Sequence, residues 1–172
     1  MDKLCLGGII TVLLLLALSL VIGKLGLIPT TAASAPPTLE RELATQALNA
    51  SMMRHAPHVT NPYPTNDESL IAGMRIYTMN CAVCHGALDV QASPLEHSFY
   101  PPAPQLIIEP LHDPEWRTYY VVRTGVRYTG MPAWEGALSD EDMWRVTEFL
   151  SRIDNLSPGA ASYWHETYAA KQ

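Results

Sequence analysis

Cys81-Ala82-Val83-Cys84-His85 is the one stretch of this 172-residue chain that is both short and chemically specific. Two cysteines three apart on a helical turn can add their thiols to the two vinyl groups along one edge of a haem. The residue that follows then points an imidazole at the iron. A thioredoxin-like dithiol has no need of that histidine. A zinc ribbon needs a second cysteine pair, and the third cysteine, Cys5, stands alone in an apolar N-terminal segment. The motif therefore predicts one covalent haem c, attached through Cys81 and Cys84 and coordinated by His85.

Three helices can be read around the motif. The first is capped by Asn66 or Asp67, carries Leu70, Met74 and Tyr77 on one face, and runs straight into Cys81. Gly73 interrupts it at a cost of up to about 1 kcal/mol, which predicts a close crossing where a side chain would collide. The last is announced by Leu138-Ser139-Asp140-Glu141-Asp142, with Ser139 as N-cap and three acids near the positive helix end. Met143, Val146, Phe149, Leu150 and Ile153 then recur at helical spacing and should face the core. Between them, Asp113 as N-cap and Pro114 at the first helical position open a short helix through about Val122, ended by Gly125.

With these motifs in order, residues 66 to 154 resemble a class I single-haem cytochrome c. The resemblance implies an all-α fold of three to five helices around one covalent haem, its first and last helices crossing where Gly73 meets an aromatic, here Phe149. It implies that Met131, in Gly130-Met131-Pro132, is the distal iron ligand opposite His85. The other methionines are less well placed: Met74 and Met79 precede the haem motif on its helix, Met143 falls in the last helix's stripe, and Met52 and Met53 lie in the linker. His97 or His112 would instead give a bis-histidine centre. The loop Tyr100-Pro101-Pro102-Ala103-Pro104 resembles the family's proline loop, in which the Pro104 carbonyl accepts the His85 Nδ1 proton, with Pro102 the competing assignment. Arg123 or Arg127 could pair with a haem propionate. Tyr128 and Trp134 are placed to hydrogen-bond one or to line the distal pocket.

Histidine with methionine raises the reduction potential and fills the iron. Six-coordinate iron leaves no vacancy for oxygen or peroxide, so the expected role is one-electron transfer, with no catalysis and no small-molecule substrate.

Composition bounds the rest. The chain has 11 Lys+Arg against 17 Asp+Glu, net −6, with 48% apolar and 16% charged residues, which excludes a basic nucleic-acid binder and an acidic disordered tail. Leu4 to Ile22 carries no charge, and the apolar run extends to Ile28 if Lys24 is tolerated near its end. Nineteen to 25 helical residues span about 28 to 38 Å, matching a hydrocarbon core of roughly 30 Å, whereas a secretory apolar region takes only about 7 to 15. Ala33-Ser34-Ala35 imitates a signal-peptidase site, but Pro36 would stand just after the cut, so a retained anchor is expected.

Residues 1–28 thus read as a transmembrane anchor and 29–65 as a linker with a possible helix over 38–54. Residues 66–155 read as the cytochrome domain and 156–172 as a C-terminal extension of undetermined role. Leu39, Leu43, Ala47 and Met52 form the linker helix's apolar stripe behind a Thr38 cap, expected to lie on its own domain or on a membrane partner. Haem c is attached outside the bacterial cytoplasmic membrane, which puts the domain in the periplasm. Past residue 35 the chain holds 9 basic and 16 acidic residues, net −7, eight of the nine bases being Arg. Docking to redox partner proteins therefore relies on an apolar haem edge or a basic partner surface. The expected function is a tethered carrier between a quinol-oxidising complex and a terminal oxidase or reaction centre, or a fixed haem subunit of a larger membrane complex.

Overall fold

The computed structural model describes residues 3–89 and 92–169, and every regular element among them is helical. The chain divides into two units, Met1–Thr31 and Ala32–Gln172. The first contains α1 (Lys3–Lys24), of which Cys5–Lys24 is long and apolar enough to cross a membrane. Its two interior hydroxyls bond back to the helix, Thr11 Oγ1 to the Gly7 carbonyl at 3.0 Å and Ser19 Oγ to the Leu15 carbonyl at 2.9 Å. Neither hydroxyl therefore needs a partner outside the helix.

The second unit contains α2 (Thr38–His55), α3 (Asp67–Asn80), α4 (Ala82–His85), α5 (Glu115–Thr124), α6 (Asp140–Arg152) and α7 (Pro158–Tyr168). Four of these, α3 to α6, fall within residues 66–155, as the resemblance implied. Caps set the ends of the two long helices: the Asn66 side chain accepts from the Ser69 amide, and Ser139 from the Asp142 amide. α5 starts one residue later than read from sequence. Pro114 is extended, with φ −58° and ψ 143°, and its carbonyl already accepts the first helical amides, while Asp113 instead pairs with Arg117 at 3.0 Å.

α6 packs against both α3 and α5. A Cβ on Gly73 would run into the Arg145 carbonyl oxygen and lie 3.0 Å from the Phe149 Cβ, so the crossing expected there is real and brings backbone against backbone. Leu70, Met74 and Tyr77 of α3 and Met143, Val146, Phe149 and Leu150 of α6 fill the core around it. On the α5 side, Tyr119 stacks on Trp144 at 4.0 Å and its hydroxyl bonds Asp140.

The residues flanking the cytochrome stretch pack on it. α7, with Pro158 in its first turn and Ser157 as cap, buries Trp164 against Phe149 and Tyr77, at centroid distances of 4.9 and 6.5 Å. The expected C-terminal extension is thus core through Tyr168, and its last residues, 170–172, lie outside the described residues. α2 runs one residue past its expected end and is capped by Pro37, with Thr38 inside it. Its expected stripe does not fold onto the domain as a whole: Met52 is buried, but Leu39 is 68% and Leu43 57% exposed. The packing face is turned by roughly half a circle at 100° per residue. It uses Met52, Ala56, and Asn49, which accepts from Arg117; at the N-terminal end the Tyr100 hydroxyl donates to Glu40 at 2.8 Å.

Candidate haem site

α3 delivers the motif and α4 shapes it. Cys81 closes α3 and opens α4, and its carbonyl accepts from the Cys84 and His85 amides at 3.0 and 2.9 Å. That winds both sulfurs onto one turn, where they are unbridged. Burial, with Cys84 close by, pushes the Cys81 thiol up to about 12, so it stays neutral, the state nearest the neutral thioether of an attached haem.

His85 is oriented by one bond: its Nδ1 lies 2.8 Å from the Pro104 carbonyl oxygen. A carbonyl only accepts, so Nδ1 carries the proton and Nε2 keeps a free lone pair for a metal. Of the two prolines weighed, the structure brings Pro104 to the histidine. The motif's backbone is clamped as well. The buried Tyr77 hydroxyl donates to the Gly86 carbonyl at 2.7 Å and reaches that of His85 at 3.0 Å. The Leu106 amide donates to the His85 carbonyl at 3.0 Å.

Sequence reasoning missed Gln105. Its buried amide donates to the carbonyls of Cys84 (3.1 Å) and Ala103 (2.8 Å) and accepts from the Ser93 amide (2.6 Å), stitching the proline loop to the haem motif. A lone glutamine directly after Pro104 was the available signal.

Met131 is held from the end of α5. Gly125, at φ +64°, turns the chain back so tightly that a Cβ there would strike the backbone of Met131, Pro132 and Ala133. Val126 donates to the Met131 carbonyl at 3.1 Å, the Thr129 hydroxyl accepts the Met131 amide at 3.1 Å, and Trp134 donates to the Val122 carbonyl at 3.2 Å. Phe99, next to the proline loop, packs directly on Gly130, so the segments carrying Pro104 and Met131 meet.

The competing methionines are committed or remote. Met74 and Met143 fill the core, Met52 is buried under α2, and Met79 and Met53 are exposed. Among the described methionines, Met131 alone is half-buried in a loop outside that core. His97 and His112 are exposed.

The other candidates scatter. Arg123 is engaged with Glu135. Arg127 is exposed, and Tyr128 is 91% exposed with a left-handed φ of 63°. Trp134 is half-buried against the core. Two unbridged thiols suit the vinyl groups of a haem, and an imidazole with Nε2 free and a loop-held thioether are donors that suit its iron. No cluster of three or more His, Cys, Asp or Glu suited to another metal occurs among the described residues.

Residues 68–150 match the family described as cytochrome C oxidase, cbb3-type, subunit III, a stretch that includes Cys81, Cys84, His85 and Met131. This stretch is a monohaem c-type cytochrome domain. No curated protein matches the chain. Among solved structures, a chain of the Kuenenia stuttgartiensis reducing HAO-like protein complex is similar, with 20% identity and a TM-score of 0.46 over 60% of this chain. The match spans about half of that chain, 54%. The cytochrome binds haem c covalently, and its C-x-x-C-H segment is where the chemistry of attachment fits.

Proposed function

We propose that this cytochrome is anchored by α1 in the bacterial cytoplasmic membrane with its haem domain in the periplasm. There it carries single electrons between membrane redox complexes, from a quinol-oxidising complex to a terminal oxidase or reaction centre. The observation that carries this reading is the pairing of an imidazole aimed by Pro104 with Met131 held in its own loop. Bound there, haem c supplies a one-electron iron couple.

The protein's residues do the remaining work. Cys81 and Cys84 fix the group to the chain. The Pro104 carbonyl sets the His85 tautomer and would make the imidazole a stronger iron donor, and the Met131 thioether would be a second iron ligand that favours the reduced state. An iron held by both residues would have no open position for a substrate, which argues against catalysis. Arg127 and Trp134 remain free to meet the propionates, whereas Arg123 would first have to leave Glu135. The surface lacks a lysine ring, so docking depends on apolar contact or on a basic partner.

A second reading, a fixed haem subunit of a respiratory complex, is favoured by the matching family's description as an oxidase subunit. Purification from native membranes in mild detergent separates the two. A lone chain whose haem is reduced by the quinol-oxidising complex and oxidised by the terminal one supports the carrier. Co-elution at constant stoichiometry through harsh washes supports the subunit, and failure to exchange electrons with any membrane complex sinks both.

A further inference from the structure

The linker helix is apolar on two sides, and its own domain uses one. Leu39, Leu43, Ala47, Ala50 and Met53 fall within about 120° of arc on α2, and all five are exposed. The side facing the domain is a different one, carrying Asn49 and Met52. Gln46 and Arg54 also fall within that arc, and the Arg54 stem is long enough to keep its head in water.

What covers the stripe follows from where the helix starts. Residues 25–37 are all that separate α1 from Thr38, and thirteen residues reach about 45 Å at full extension. The first turn of α2 therefore stays within about 45 Å of any bilayer that α1 enters. Confinement of this kind gives a weakly lipophilic face a high effective concentration of surface. With Leu39, Leu43 and Met53 on one side and Glu40, Arg41, Glu42 and Arg54 among its other residues, α2 is too polar to insert and can reach lipid only at the interface.

We propose that the outward stripe of α2 lies on the lipid surface of the membrane that holds α1, so that the haem domain rides on the bilayer in a fixed orientation instead of swinging on a loose tether. The inference rests on α1 being the anchor, and its test reads the two separately.

Holo-protein with Cys5→Ser, whose other two cysteines are consumed by haem, would be placed one chain per lipid nanodisc and spin-labelled at single introduced cysteines. The accessibility of each label to oxygen, which concentrates in lipid, is compared with that to a water-soluble nickel chelate. Labels at Leu43→Cys and Ala50→Cys should show a several-fold higher oxygen-to-nickel ratio than labels at Ala44→Cys and Ser51→Cys on another exposed side of α2. Adding Leu39→Glu with Leu43→Glu should abolish the difference at position 50 while leaving the haem spectrum unchanged. If positions 43 and 50 meet the chelate as freely as 44 and 51, or are shielded from both probes as under a protein, the proposal is wrong. A label at Leu13→Cys reports the span alone: lipid exposure there with solvent exposure at 43 overturns this inference and leaves the anchor standing. Nickel access at 13 overturns both.

Discussion

At the residue scale the cytochrome separates chemistry from packing by where it puts each methionine. Met74 and Met143 bury their sulfur in the core, while Met131 sits outside it on a loop bonded at both ends to α5. Met131→Ala should therefore leave the fold intact and open the sixth position. The ferric protein should lose its sulfur-to-iron charge-transfer absorption, the reduction potential should fall, and the ferrous form should bind carbon monoxide at neutral pH, which the native protein should resist. An unchanged ferric spectrum would move the ligand elsewhere.

A second residue follows a different logic. Glu148 is fully buried between Ser69 in the first turn of α3 and Glu115 at the start of α5, and burial holds its carboxyl above the usual range. The Ser69 hydroxyl, donating at 2.8 Å, and Arg152, at 3.9 Å, only partly oppose that. A raised folded-state value means that the protonated carboxyl favours the fold below the ordinary carboxylate range, and that this contribution is lost as pH climbs through the raised value. Between about pH 4 and 7 the native protein should thus lose stability relative to Glu148→Gln, which is never charged. Parallel denaturant midpoints for the two proteins at both ends of that range would disprove it.

At the element scale the α3–α6 crossing decides whether the haem motif is aimed at all. Gly73 lets the Arg145 carbonyl and Phe149 approach the α3 backbone directly, and α3 continues without a break into Cys81. Gly73→Ala gains helix propensity of about 1 kcal/mol, yet the added carbon meets main chain that has no rotamer to change. Overpacking of this kind costs typically about 1 to 3 kcal/mol and here should outweigh the gain. A lower denaturation midpoint is expected, and a raised one would mean the helices can separate at no cost.

The helices were legible because their signals are local: Asn66 and Ser139 are caps of the expected kind, and the α6 stripe is spaced as a helix must be. Glu148 was not legible. It lies about 100° around the helix from the nearest stripe residue, and only the packing of α6 against both α3 and α5 buries it.

At the scale of the whole molecule, tethering is the property to test. An anchored carrier meets its partners at an effective concentration set by chain length. Proteolytic release of the haem domain within residues 29–37 should therefore leave its spectrum and potential unchanged but make electron exchange with membrane complexes slow and proportional to added protein. Exchange that is as fast after release as before would remove any role for the tether.

The sequence by itself determined the haem c, through its five-residue C-x-x-C-H motif, and the apolar N-terminal segment, since such a motif and an uncharged run carry their meaning without neighbours. Resemblance singled out Pro104 and Met131. Tertiary structure decided that Pro104 and not Pro102 meets His85, that Arg123 is spent on Glu135, that Gln105 fastens the proline loop, and that α2 turns Leu39 and Leu43 outward. Each of those depends on two segments distant along the chain meeting at one point, and the pattern of either segment alone holds no record of which partner it will face.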